Sequence, residues 1–150
     1  MKTTRYRIQT RTLKNIRNED VCDYFIEKKT VYKYRWFTWR SNWNKISSKV
    51  MQVNCSWHTE RSYGRLNYEI YDNTHFGRKE ACKTQIDLLK NDIFMIGTTP
   101  VEMIQFHFHA YSNSRKVGYL YDNILFQDIF WCNNYIERKM LNENKNGTKI

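Results

Sequence analysis

Proline occurs once, at Pro100, and the five glycines are scattered, so no Pro/Gly/Ser-rich linker divides the chain and no glycine-rich phosphate loop is encoded. No apolar run approaches the ~18 residues that cross a bilayer. The first ten residues, MKTTRYRIQT, are polar and basic where a secretory leader would be apolar. A cytoplasmic location without membrane attachment is therefore expected, and the glycosylation patterns at Asn54 and Asn146 read as accidental. The four cysteines, Cys22, Cys55, Cys82 and Cys132, form no C-x-x-C pair, which predicts buried or half-buried thiols in place of disulfides or a zinc knot. A nucleophile elbow, an H-E-x-x-H stretch and a paired-carboxylate signature are all missing. His58 with Glu60 could exchange a proton, but nothing in the spacing selects that pair, so a non-catalytic protein is expected.

What is present is aromatic and basic. Of 150 residues, 41% are hydrophobic, 16% aromatic and 27% charged, the balance of an ordinary globular chain. One domain over 1–139 with a polar tail at 140–150 is the economical division. The formal charge of +10 is uneven: residues 1–50 carry thirteen Lys/Arg against four Asp/Glu, a net +9, whereas residues 51–130 carry eight against nine, a net −1. Such a bias implies one positive surface facing an acidic partner.

Hydrophobic periodicity is two, the mark of half-buried strands in antiparallel sheets. Tyr6 and Ile8 alternate with Arg5, Arg7 and Gln9; Met51, Val53, Cys55 and Trp57 with Gln52, Asn54 and Ser56. Leu66, Tyr68 and Ile70 repeat the pattern, as do Ile104, Phe106 and Phe108 opposite Gln105, His107 and His109. Hairpin turns are expected at Glu60 to Gly64 and at Ser112-Asn113-Ser114. Val31 to Arg40 reads as one strand with aromatics on both faces. Asn18 could cap a short helical turn, and Arg78 to Lys90 fits strand and helix, with strand preferred. The sum is an all-β, antiparallel β-sandwich, jelly-roll-like, with at most one or two short helices.

The segment GYLYDNILFQDIF, Gly118 to Phe130, carries a Gly-aromatic-x-aromatic-Asp-Asn-Ile stretch preceded by PVEMIQFHFHAYS. Over about thirty residues this resembles the closing strands of jelly-roll domains of the galactose-binding-like and carbohydrate-binding-module kind. The resemblance implies a glycan-binding role and, at Asp122, a structural calcium.

Alternation places His107 and His109 on one side of a strand with Cβ atoms roughly 7 Å apart, close enough to share zinc with a third ligand such as Asp122, Asp128, His58 or His75. The competing reading is two solvent-side histidines opposite a buried stripe. A richer constellation is YKYRWFTWRSNWNK, which interleaves Tyr32, Tyr34, Trp36, Trp39 and Trp43 with Lys33, Arg35, Arg40 and Lys45. Flat rings stack on sugars and nucleobases, and neighbouring cations neutralise phosphates or acidic glycans. With Arg5, Arg7, Arg11 and Arg17 on the same face they would form a continuous basic strip. Nucleic acid is the first partner this implies and glycan the second; a viral or mobile-element accessory protein suits the composition. A carbohydrate-binding module is the alternative, and a protein-binding or virion structural subunit a further one.

Overall fold

The computed structural model describes residues 1–53, 65–108 and 111–147. Over these described residues it is mostly strand, arranged in two sheets with two helices, as the two-residue periodicity predicts. Its contacts cluster into two units: residues 1–50 with 71–91, and residues 51–70 with 92–150.

Unit 1 is built on a long antiparallel ribbon, β1 (Lys2–Lys14) and β2 (Asp20–Lys33), paired in unbroken register from Lys2↔Tyr32 to Lys14↔Asp20. The far side of β2 is lined in series by β3 (Thr38–Arg40), β4 (Asn44–Lys45) and β8 (His75–Phe76). Tyr6, Ile8, Tyr24 and Ile26 share one face and join Val50, Phe76, Ala81 and Cys82 in a core closed by α1 (Lys79–Lys90). The preference for strand at Arg78 to Lys90 is thus corrected. Both periods fit that stretch, but only Thr84 and Ile86 in the helix are β-branched, and Ala81, Cys82, Gln85 and Leu88 form a buried helical stripe. Asn18 caps no helix either. It sits at φ 60° in the β1–β2 loop, where the Asn15 side-chain oxygen accepts the N–H groups of Arg17 and Glu19 at 2.9 Å each.

The chain passes from one unit to the other within β5 (Ser48–Val53) and β7 (Tyr68–Asn73). In unit 2 the sheet order is β6 (Arg65–Leu66), β12 (Ile124–Phe126), β11 (Tyr111–Tyr121), β10 (Thr99–Phe108), β5, β7, with β9 (Ile93–Ile96) also on β10. One pair departs from the expected antiparallel scheme, since β10 runs parallel to β5 at Phe106↔Met51. Met51, Val53, Leu66, Ile104, Phe106 and Leu125 form one core. Val101, Phe126, Cys132 and Ile136 form another, with α2 (Ile129–Gly147) supplying the last two.

Two further expectations are corrected in unit 2. Ser112-Asn113-Ser114 is strand, lying within β11, which begins at Tyr111 paired with Phe108. Gly118 to Phe130 is not one strand; it folds back at Asp122-Asn123, both at positive φ (51° and 60°), the geometry of a two-residue hairpin turn. Residues from Met140 continue a helix to Gly147. The expected turn at Glu60 to Gly64 and strand residues Cys55 and Trp57 lie outside the described residues. Cys82 and Cys132 are buried as expected, Cys22 is exposed, and burial pushes the Cys132 thiol up to about 11.

Candidate functional site

The aromatic-basic constellation does not lie along one strand. β2 ends at Lys33; the chain reverses through Tyr34 to Phe37, closed by the Tyr34 N–H donating to the Phe37 carbonyl at 2.9 Å, and returns as β3. The reversal sets Tyr32 opposite Trp39. Rings then line up: Trp39 to Tyr32 at 5.3 Å, Tyr32 to Tyr34 at 6.2 Å and 19°, Tyr34 to Phe37 at 4.8 Å and 26°. Phe37 is a member that single-strand parity missed. Tyr34 is 53% exposed, Phe37 62%, Trp39 50% and Trp36, at the turn, 86%. Most exposed apolar residues are isolated, so a run of four half-open rings is a surface set apart from ordinary exposure.

Parity separates the remaining candidates onto the other face, which corrects the expected single strip. Arg5, Arg7 and Arg11 alternate with the core residues Tyr6 and Ile8, and the register places Asp23, Glu27, Lys29 and Lys33 of β2 beside them. Lys45 stands opposite Glu27 and Arg40 opposite Val31. The Arg7 guanidinium lies 4.2 Å from the Trp43 ring centre, Lys29 is 5.4 Å from it, and Lys45 covers Phe25 at 4.3 Å. Seven cations, Arg5, Arg7, Arg11, Lys29, Lys33, Arg40 and Lys45, thus share this face with two carboxylates, a net +5. Arg7 is paired to Glu27 at 2.9 Å, and Arg11 to Asp23 through bonds of 3.0 and 2.5 Å. The hydrogen bond from Arg11 holds the Asp23 carboxyl below its ordinary range. Desolvation, with Arg11 and then Lys45 adding to it against Asp23, lowers the basicity of His75, whose Nδ1 is 3.7 Å from Asp23. Arg17 stands apart in the β1–β2 loop.

On the aromatic face, beyond the reach of the core residues, Lys28, Thr30, Tyr32, Trp39, Ser41, Asn44 and Ile46 line an open groove of about 310 Å³. Ser41 Oγ accepts the Thr30 N–H at 2.9 Å, which fixes the floor. Lys2 reaches to 6.0 Å from the Tyr32 ring centre, and Arg35 to 5.3 Å from that of Trp36.

Compared with known proteins, the chain matches no family model, no curated sequence and no solved structure.

The histidine reading fares differently. His107 is 5% exposed, not solvent-side: it lies between Arg115 of β11 and Gln52 of β5, and Gln105 on the same face is buried too. Phe106 and His107 point to opposite faces as parity demands, and both are buried. His109 and His58 lie outside the described residues. Among the described residues no three metal-capable side chains gather. Asp122 is engaged by Lys139 at 2.6 Å and Tyr135 at 3.1 Å, the lysine first in holding its carboxyl below the ordinary range. A protein cation thus sits where the resemblance implied calcium.

Proposed function

We propose that the protein binds nucleic acid through the sheet of unit 1, without catalysis. The observation that carries this reading is the +5 face of the β1–β2 ribbon, with a half-exposed aromatic cluster on the same short sheet. Cations gain by displacing the counterions of a polyphosphate, and rings supply contact area that phosphate alone does not use. Of the seven cations, Arg5, Lys29, Lys33, Arg40 and Lys45 have no ion pair among the described residues, so binding need not first break one.

The test is affinity for a nucleic acid of mixed sequence across a salt series. Log affinity should fall linearly with log salt, and Arg5→Ala, Lys33→Ala or Arg40→Ala should each reduce the slope by about one phosphate contact. Affinity indifferent to salt would overturn the reading. Carbohydrate binding is the second reading, favoured by the groove, where the Tyr32 and Trp39 rings stand beside the Ser41 hydroxyl and the Asn44 amide. It predicts binding of a neutral oligosaccharide that salt leaves unchanged.

A further inference from the structure

Resting on the nucleic-acid reading, we propose that the aromatic face of that sheet, opposite the +5 face, is specific for single strands, with Trp39, Tyr32, Tyr34 and Phe37 stacking against unpaired bases while Lys2, Lys28 and Arg35 meet the phosphates between them. Three observations carry this.

The first is where the acids are. Residues 1–50 contain four carboxylates, Glu19, Asp20, Asp23 and Glu27. Glu19 and Asp20 lie at the ribbon tip, and Asp23 and Glu27 occupy the opposite face, tied to Arg11 and Arg7. Asp20 shares the parity of Tyr32 but lies at the far tip, paired to Lys14 at 2.7 Å, so no carboxylate of this segment stands beside the rings. Lys2, Lys28 and Arg35, which stand on it or beside its rings, have no ion pair among the described residues.

The second is the form of the aromatic surface. A duplex hides the faces of its bases inside its own stack and offers only their edges and its phosphates. Half-exposed rings beside a groove have nothing to stack on in a duplex. Unpaired bases present such faces, and aromatic stacking accepts any of the four.

The third concerns the one element shaped for a duplex. A two-stranded ribbon fits a major groove. Between Arg11 and Asp23, however, the ribbon carries Arg11, Lys14 and Arg17 against Glu19, Asp20 and Asp23, which cancel. Two of those cations are already paired, Arg11 to Asp23 and Lys14 to Asp20 at 2.7 Å. The ribbon tip thus lacks the free charge that entry into a groove between two phosphate backbones requires.

The test compares a twelve-nucleotide oligothymidine with a twelve-base-pair duplex, at low and moderate salt, for the whole chain and for Tyr34→Ala, Phe37→Ala and Trp39→Phe. Single strands should bind at least tenfold more tightly than duplex, with partial quenching of tryptophan fluorescence. Tyr34→Ala and Phe37→Ala should each weaken the single strand by about tenfold and leave duplex affinity unchanged, while Trp39→Phe, which keeps a ring, retains most of it. Equal affinity for both nucleic acids, insensitive to the ring variants, would overturn the single-strand assignment and leave the nucleic-acid reading standing. Binding of neither nucleic acid, or ring-dependent capture of a neutral oligosaccharide instead, would overturn both.

Discussion

In unit 2 the sheet phenylalanines Phe106 and Phe126 are buried to 0% and 1%, whereas in unit 1 Tyr34, Phe37 and Trp39 keep half or more of their surface. The chain uses the same kind of side chain in both places, and the difference lies in what surrounds it. β10 has a strand on either side and a hydrophobic core on each face. On the face of β2 that carries Ile26 the core cluster ends there, and past it that face opens into the groove beside Trp39, while Val31 on the other face is wholly buried. Aromatics in the first setting are consumed by folding. In the second they contribute little to it, which leaves them available for the binding role proposed above.

The comparison is tested most severely at Gly118. A Cβ placed there would stand 3.0 Å from Leu125 Cδ1 and from Cδ1 and Cε1 of Phe106. Leu125 and Phe106 are both wholly buried, so neither can swing aside. Gly118→Ala should cost about 1–3 kcal/mol in urea unfolding, as overpacking does. A neutral result would mean that the interior of unit 2 is looser than its burial implies, and the contrast between the units would weaken.

A smaller effect separates the units by pH. The folded His75 takes up its proton below its ordinary 6.5, so the unfolded chain binds that proton first as pH falls. Its contribution is therefore whole above pH 6.5 and lost as pH drops through the depressed folded value. Asp23, also depressed, adds a second loss below its ordinary 3.8. Hydrogen exchange should thus record protection of β1 and β2 declining from pH 7 toward 5, and His75→Gln should flatten that decline. Protection that rises over this range would contradict the sign of the His75 shift.

How much of this was legible in the sequence depends on how many patterns competed at each place. Alternation of Tyr6 and Ile8 with Arg5 and Arg7 had no rival, and the faces it assigned are those found. Arg78 to Lys90 satisfied two periods at once, and helix propensity decided what alternation could not. The helix after Asp128 was overlooked although its signal was present. Asp128 Oδ1 accepts the Trp131 N–H at 3.1 Å as a cap would, and Ile129, Cys132 and Ile136 follow at helical spacing. The reading of Val31 to Arg40 as one strand failed because no Gly, Pro or Asn marks the turn at Tyr34 to Phe37. With the turn unseen, rings and arginines fell onto one imagined face. The burial of His107 was not legible from its own strand, since parity tells which face a residue takes and not whether that face will be covered.

The smallest expected effect sharpens the comparison most, because it asks for a near-absence of change. Phe37 is 62% exposed, belongs to no core and touches the fold through its stack on Tyr34. Removing its ring forfeits one exposed aromatic contact and opens no cavity. Phe37→Ala should therefore alter stability by less than about 0.5 kcal/mol, as a surface substitution does, while the same variant loses single-strand affinity. A ring that served only to close the β2–β3 turn would give the opposite pair of results, a measurable loss of stability with binding intact. The two outcomes need one protein preparation and two titrations, and they differ in which titration moves.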